Sequence, residues 1–196
     1  MNHTDFDAYA ENYEAELNRG LSISGEDRAF YARGRIEWLG KCLERLQFVP
    51  TRVLDFGCGT GLATPFFLEL LGAKSVVGLD SSTKSLAVAQ CAHARLPVEF
   101  KLTIEYKPDG AVDLAFCNGV FHHVPPNERL QVAQYIADCL RPGGLFALWE
   151  NNPWNPGTRY IVFVAEGTFC DFAKFRRLAF YGPTEFIASR WARHAV

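Results

Sequence analysis

The chain has 196 residues, of which 48% are hydrophobic and 21% charged, and its formal net charge is −2. These values fit one soluble domain with a single sizeable core, and they do not favour a nucleic-acid surface, which usually needs a marked basic excess. No apolar run approaches the ~20 residues that cross a bilayer, and the polar, acidic start of the chain is unlike a signal peptide. We therefore expect a cytoplasmic protein with no membrane span and no nucleic-acid partner.

The six cysteines lie at positions 42, 58, 91, 117, 139 and 170. No pair forms a C-x-x-C motif, and no group of cysteines and histidines has the spacing of a zinc site. Most of these cysteines stand in apolar stretches, as buried reduced thiols do. We expect no metal centre in this chain.

The first predicted element is a long amphipathic helix over residues 26–47. Ser24, followed at the third position by Asp27, is typical of a helix start. Apolar residues recur at steps of three and four, which places one face of the helix against a core. The residues of this face are Ile36, Leu39, Leu43 and Leu46.

Strands and helices alternate after this first helix. The predicted strands cover residues 53–56, 75–79, 98–102, 112–117 and 145–149. The predicted helices cover residues 62–71, 82–94 and 128–140, and residues 141–144 form a predicted turn. This alternation predicts an α/β fold in which a doubly wound, mostly parallel sheet carries helices on both faces.

Functional residues are expected at one edge of this sheet. Right-handed crossovers bring the carboxyl ends of parallel strands to the same edge, and ligands of such folds bind there. Four segments meet this condition: the glycine-rich stretch of residues 57–61, Asp80, Asn118 and Glu150. Their convergence predicts a ligand site assembled from four separate parts of the chain.

The glycine-rich stretch and the acidic residues beside it indicate which class of ligand binds. Gly57, Gly59 and Gly61 follow the first strand in a G-x-G-x-G pattern. Such a turn either cradles a pyrophosphate or lets the backbone pass beneath a nucleoside, and this one lacks the G-K-[ST] of a P-loop. Asp55 would repel a phosphate and attract an ammonium group, while Asp80 can accept both hydroxyls of a ribose. We therefore expect a nucleoside that carries a cationic tail.

Four ordered segments resemble a known family. They are VLDFGCGTG at 53–61, VVGLD at 76–80, DLAFCNGVFHHV at 113–124 and LRPGGLFALWENN at 140–152. With their spacing, they resemble the class I S-adenosylmethionine-dependent methyltransferases, in particular small-molecule enzymes of the type 11/12 group. The resemblance covers about residues 5–164 and implies a Rossmann-like fold, S-adenosylmethionine as cofactor, S-adenosylhomocysteine as product and a small-molecule methyl acceptor.

The resemblance implies a role for each acidic and glycine position of the first two motifs. Residues Gly57, Gly59 and Gly61, with Cys58 between them, would pass beneath the methionine part and the ribose. Asp55 would hold the methionine ammonium, directly or through water. Asp80 would bind the ribose hydroxyls, with Ser81 near the adenine.

Further cofactor contacts are implied by the later motifs and by the amino-terminal segment. Asn118 would lie near the methionine moiety, and Phe121 and His122 would border the reacting methyl group. The F-D-x-Y-A-x-x-Y pattern of residues 6–13 resembles the segment that folds over the cofactor in this group. Tyr13 and Arg33 would close over the methionine carboxylate.

His122 and His123 are the candidate catalytic bases. Methyl transfer mainly requires alignment of donor and acceptor, and a base is needed only where the acceptor must lose a proton. Adjacent side chains point in different directions, so at most one of the two histidines is expected to face the site. The alternative role for each is packing in a loop.

The sequence ENNPWNPGTRY at 150–160 is a candidate wall of the acceptor pocket, because it follows the fifth strand at the ligand edge. Glu150, Asn151 and Trp154 could contact the acceptor together with His122, and Tyr9 could belong to an aromatic lid. The alternative is a structural turn stabilised by its asparagine side chains.

The expected organisation is a single domain with three parts: amino-terminal cap helices over 1–48, a core over 49–164 and an atypical tail over 165–196. The tail contains one weak strand at 185–188 and one short helix at 172–180, which is less than the two further strands that usually end this fold. A truncated or diverged ending would leave a sheet edge exposed. A second copy of the chain could cover that edge, so a homodimer is a prediction.

Two other functions compete with methyl transfer. The atypical tail favours a protein that binds S-adenosylmethionine without transferring the methyl group, such as a regulatory or assembly subunit. A nicotinamide-dependent oxidoreductase is the third hypothesis, although the G-x-G-x-G spacing and Asp55 both count against it.

Overall fold

The computed structural model describes residues 27–150 and the backbone strand formed by residues 185–189. The helices are α1 (Arg28–Arg45), α2 (Thr64–Leu71), α3 (Thr83–Ala92) and α4 (Arg129–Cys139). The strands are β1 (Arg52–Phe56), β2 (Ser75–Asp80), β3 (Val98–Leu102), β4 (Val112–Asn118), β5 (Leu140–Trp149) and β6 (Glu185–Ser189). None of the helices in these residues is long and apolar enough to span a membrane.

The strands form one sheet in the order β3-β2-β1-β4-β5-β6. The first five strands are parallel, and β6 runs antiparallel to β5. The chain order reverses between β1 and β4, which is the position where open α/β sheets bind their ligands. The predicted doubly wound, mostly parallel sheet is confirmed.

Helices cover both faces of this sheet, as predicted. Alternate residues of a strand face opposite sides. Val53 and Leu114 pack beneath α1 and α2, whereas their chain neighbours Leu54 and Ala115 pack against α4. The central strands are therefore buried on both faces, which explains why their sequences are apolar without alternation.

The helix ends follow local sequence signals. The Asp27 carboxylate caps α1 by accepting a hydrogen bond from the backbone N–H of Phe30 at 2.7 Å. The Ser82 hydroxyl caps α3 in the same way, and α2 ends at Gly72, whose φ is 66°. The predicted helices are confirmed with ends shifted by a few residues, while Ser24 lies outside the described residues.

The predicted turn at residues 141–144 is wrong, because β5 begins at Leu140. Pairing with β4 passes through a register shift between Val112 and Leu114. A Cβ on Gly144 would lie 3.0 Å from the backbone oxygens of Arg141, Asp113 and Val112. The two glycines of this segment therefore permit an irregularity within a strand and do not end it.

Asp113 joins three segments at the amino-terminal edge of the sheet. Its Oδ2 accepts hydrogen bonds from the backbone N–H groups of Thr51 and Arg52 at 2.8 and 2.7 Å. Its Oδ1 accepts from Nε of Arg141 at 2.5 Å. Burial raises the pKa of Asp113, but these bonds outweigh burial and hold that pKa below its ordinary value.

The weak strand predicted at 185–188 is confirmed as β6, and Trp149 of β5 pairs with Glu185. This pairing covers the carboxyl-terminal half of the β5 edge within the same chain. The helix predicted at 172–180 and most of the cap at 1–48 lie outside the described residues. The homodimer stays a prediction.

Candidate active site

The glycine turn after β1 has left-handed backbone at Gly57, Gly59 and Gly61, with φ angles of 75°, 54° and 75°. A Cβ on Gly57 would lie 2.2 Å from Val120, and a Cβ on Gly61 would lie 2.9 Å from His93. A Cβ on Gly59 would meet nothing within 4 Å. Two of the glycines thus serve internal packing, and Gly59 presents bare backbone to open space that a ligand can enter.

Asp80 holds this turn in place. Its Oδ2 accepts a hydrogen bond from the backbone N–H of Gly59, and its Oδ1 accepts from that of Ser82, both at 2.8 Å. The carbonyl oxygen of Leu79 accepts from the N–H groups of Gly57 and Cys58 at 2.7 and 3.0 Å. Each carboxylate oxygen of Asp80 keeps a second acceptor position, so it can still accept from ribose hydroxyls.

Asp55 is a buried carboxylate at the end of β1, with 4% of its surface exposed. Burial, and after it the negative charge of Asp80, raises its pKa to about 7. Within residues 27–150 no group donates a hydrogen bond to this carboxylate. A bound cation would stabilise the ionised form of this buried carboxylate, whereas a bound phosphate would repel it. The carboxylates of Asp55 and Asp80 therefore fit a nucleoside that carries an ammonium group. S-adenosylmethionine is such a molecule.

Cys58 contributes its backbone to the turn, but its side chain belongs to the core. The thiol packs with Leu86, Ala89 and Phe100, and it is 8% exposed. Burial raises its pKa well above the ordinary value. The thiol is therefore neutral and unreactive at physiological pH.

The segment after β4 lies directly against the glycine turn through the contact of Val120 with Gly57. Asn118 ends β4 opposite Trp149, whose carbonyl oxygen accepts from the N–H of Gly119 at 2.8 Å. The Phe121 ring is buried in the core, with its centroid 6.4 Å from that of Phe146. Its position beside the reacting methyl group stays a prediction.

Glu150 organises the same segment. One carboxylate oxygen, Oε1, accepts from the backbone N–H of Phe121 at 2.7 Å, and Oε2 lies 2.9 Å from Nδ1 of His122. The rings of His122 and His123 are 3.9 Å apart. Burial first, and the neighbouring His122 second, lower the pKa of His123 to about 4. The sequence predicted Glu150 at the ligand edge, but no local signal linked it to His122.

The remaining predicted site residues are less well placed or undescribed. Arg33 donates to Oε1 of Glu37 at 2.9 Å and to Oε1 of Glu69 at 3.0 Å, on the surface between α1 and α2. Its contact with a methionine carboxylate stays a prediction. Ser81 is exposed directly after β2, as an adenine contact requires. Those outside the described residues are Tyr9, Tyr13, Asn151 and Trp154.

The sequence matches known proteins over part of its length. Residues 53–144 match a family model described as a methyltransferase domain. The chain is 37% identical over 101 residues to the trans-aconitate 2-methyltransferase of Rhizobium rhizogenes, covering 50% of the chain and 37% of the relative. It is 31% identical over 113 residues to the ribosomal protein L11 methyltransferase of Shewanella pealeana, covering 58% and 36%. The chain thus spans less than half the length of these relatives.

Solved structures share the fold. An amino pentose methyltransferase from Micromonospora echinaspora with bound S-adenosylmethionine superposes with a TM-score of 0.56 at 21% identity, over 74% of this chain and 57% of that one. The plantazolicin methyltransferase BpumL, in complex with S-adenosylhomocysteine, gives 0.62 at 14% identity, over 89% and 68%.

The matched region contains the parts of the site that fit a cationic nucleoside. It begins with β1, includes the glycine turn and Asp80, and extends through the segment of His122. The expected resemblance is confirmed by the family model, the relatives and the shared fold. Residues 53–144 of this chain match a methyltransferase domain, and the fold is shared with methyltransferases solved with S-adenosylmethionine or S-adenosylhomocysteine bound.

Proposed function

We propose that this protein is an enzyme that transfers the methyl group of S-adenosylmethionine to a small-molecule acceptor. The observation that carries the proposal is the pairing of Asp55, a buried carboxylate without a donor in the described chain, with the open backbone face of Gly59. A ligand that enters this space meets a site for a cation on one side and Asp80 on the other.

The chain's own residues act mainly by positioning. S-adenosylmethionine supplies an electrophilic methyl group on a sulfonium, and transfer is a direct in-line displacement. Asp55 would hold the ammonium and Asp80 the ribose, while Gly59 and Asn118 line the methionine part. Such fixed alignment of two reactants can contribute about 7–11 kcal/mol towards the barrier.

The trans-aconitate 2-methyltransferase relative supports a small-molecule acceptor. A carboxylate oxygen is one acceptor atom of that kind, and hydroxyl oxygen, nitrogen and carbon are others. The name of the other relative, ribosomal protein L11 methyltransferase, indicates a protein acceptor, which is the competing class.

Isothermal titration with S-adenosylhomocysteine tests the proposal. We expect micromolar binding by the natural chain and at least about tenfold weaker binding by Asp80→Asn. The asparagine amide replaces one carboxylate oxygen by an NH₂ group, so the side chain can no longer accept hydrogen bonds from both Gly59 and Ser82. Asp138→Asn is the matched control, since Asp138 lies on the exposed face of α4, where its Oδ1 accepts from Nε2 of Gln134 at 2.6 Å. The control should bind as the natural chain does.

Binding is followed by a turnover assay with S-adenosylmethionine and separate pools of small molecules and proteins. Formation of S-adenosylhomocysteine with the small-molecule pool supports the proposal. Absence of binding contradicts it, and binding without turnover on either pool favours a cofactor-binding protein.

A further inference from the structure

We propose that Glu150 holds His122 in the tautomer protonated on Nδ1, so that Nε2 accepts the proton of a hydroxyl group as that group is methylated. This inference rests on the proposed function and specifies its acceptor. His122 would be a catalytic residue, and Glu150 a positioning residue that acts through it.

The hydrogen bonds of Glu150 determine the tautomer. The side chain is 10% exposed, and both oxygens are engaged, Oε1 by the backbone N–H of Phe121 and Oε2 by Nδ1 of His122. A carboxylate only accepts hydrogen bonds, so Nδ1 must be the donor. In a neutral imidazole the proton on Nδ1 leaves Nε2 as the acceptor.

The fold places this imidazole beside the methyl-transfer site. Asp55, Asn118 and Glu150 end or follow the adjacent strands β1, β4 and β5 at the same sheet edge. The His122 segment touches the glycine turn where Val120 meets Gly57. The His122 side chain is 17% exposed, so part of its ring remains open to a ligand.

The bare backbone of Gly119 adds a second geometric constraint. Its φ is 68°, and a Cβ there would lie 3.7 Å from Cε1 of His122, the carbon between the two ring nitrogens. The ring edge therefore lies over the carboxyl end of β4, with Nδ1 turned to Glu150.

The other ionisable groups described around this ring are His123, Cys117 and Arg129. His123, 3.9 Å away, is neutral at physiological pH because burial and His122 lower its pKa to about 4. The Cys117 thiol of β4 is also neutral, since burial raises its pKa well above the ordinary value. Arg129 of α4 donates to the carbonyl oxygen of Val124 at 2.9 Å. Among the described residues, Glu150 is the acidic side chain hydrogen-bonded to the His122 ring.

The step balances without a further reactant. A lone pair of the acceptor oxygen forms the new bond to the methyl carbon, and the carbon–sulfur bond breaks with its electron pair left on sulfur. The hydroxyl proton passes to Nε2 of His122, which becomes an imidazolium bonded to Glu150. The products are a methyl ether and S-adenosylhomocysteine. A carboxylate acceptor would have no proton to give up, so the arrangement favours a hydroxyl group.

The test uses Glu150→Gln in the full chain. The carbonyl oxygen of this glutamine can still accept from Phe121, but its amide group donates to Nδ1 and forces the proton onto Nε2. Nitrogen-15 spectra of histidine-labelled protein report the tautomer directly, with His122→Asn assigning the signals. Glu128→Gln, an exposed position before α4 without a side-chain cap bond, is the matched control.

We expect the Nδ1–H tautomer in the natural chain and in the control, the Nε2–H tautomer in Glu150→Gln, and a shift of the His122 signals on addition of S-adenosylhomocysteine. Cofactor affinity should change less than about twofold in the variant. An Nε2–H tautomer in the natural chain, or His122 signals that do not respond to a cofactor that binds, would overturn the proposal. Failure of the cofactor to bind contradicts the proposed function instead.

The acceptor class is tested with S-adenosylmethionine labelled in its methyl group and a small-molecule cell extract. Alkali releases methanol from methyl esters, whereas methyl ethers, methylamines and C-methyl groups survive it, and mass spectrometry of the surviving product identifies the methylated atom. We expect an alkali-stable product methylated on oxygen, which Glu150→Gln forms about 10²–10⁴-fold more slowly, the usual contribution of a general base. An alkali-labile product, no labelled product, or an unchanged rate in the variant would overturn the proposal.

Discussion

Asp55 is a single residue that serves the ligand site and destabilises the folded protein when no ligand is bound. Its pKa rises from 3.8 to about 7 on folding, chiefly through burial. Between these two pH values the folded chain keeps a proton that the unfolded chain has lost, so stability falls as pH rises through this window. The penalty is complete above about pH 7 and absent below about pH 4.

We therefore predict that Asp55→Asn stabilises the ligand-free protein at pH 8 and not at pH 4. The shift in pKa corresponds to a gain on the order of 2–4 kcal/mol at the higher pH. The same change should weaken binding of S-adenosylhomocysteine by at least about tenfold, because the ammonium loses its counter-charge. Urea unfolding at the two pH values and calorimetry measure both effects, and an equal gain at both pH values would contradict the explanation.

In the glycine turn, mutation can distinguish the cost of a strained backbone from the loss of cofactor binding. Gly59 and Gly72 both have left-handed backbone, with φ of 54° and 66°, and an added Cβ meets nothing within 4 Å at either position. Gly72 only ends α2. Alanine at either position should cost about 1–2 kcal/mol of folding free energy.

Only Gly59→Ala is expected to abolish binding of S-adenosylhomocysteine, because its Cβ would occupy the space that the ligand enters. Gly72→Ala is the matched control for backbone strain. Thermal unfolding and calorimetry of both variants provide the comparison. Unchanged binding by Gly59→Ala would show that the open space beside this residue is not the cofactor site.

The carboxylate of Asp113 adds side-chain hydrogen bonds that tie β4 to β5 and to the start of β1. Because the pKa of Asp113 lies below its ordinary value in the folded state, its stabilising contribution is present above about pH 4 and decays as pH falls further. Asp113→Asn should lower the free energy of unfolding by about 1–3 kcal/mol at pH 7, and by less at pH 3. Denaturant titrations measure the difference, and a loss that grows towards low pH would refute this account.

At the scale of the whole molecule, stability should decrease from the centre of the sheet to its edges. Strands β1 and β4 are buried on both faces and paired on both sides. Strand β3 has an outer edge, and its residue Glu99 is exposed. We expect amide hydrogen exchange to be slowest in β1 and β4 and faster in β3 by about tenfold or more. Equal protection of β1 and β3 would contradict this order.

Several elements could be predicted because their causes are local. Continuous apolar runs identified the buried parallel strands, and the capping residues and Gly72 marked helix ends within a few residues. The acidic residues at the ends of β1 and β2 could be assigned to one edge because parallel strands share direction. The strand at 185–188 was predicted as a weak candidate, and its antiparallel pairing with β5 was not assigned to it.

Residue type and chain direction were enough to predict the alternation of strands and helices in the core, the bare turn at residues 57–61 and the carboxylates beside it. The contacts of those groups depend on packing, which residue type does not specify. The continuation of β5 through Gly144 depends on its register against β4, and the engagement of Arg33 with Glu69 depends on how α1 packs on α2. The bond between Glu150 and His122 joins residues 28 positions apart. Packing alone brings such groups together.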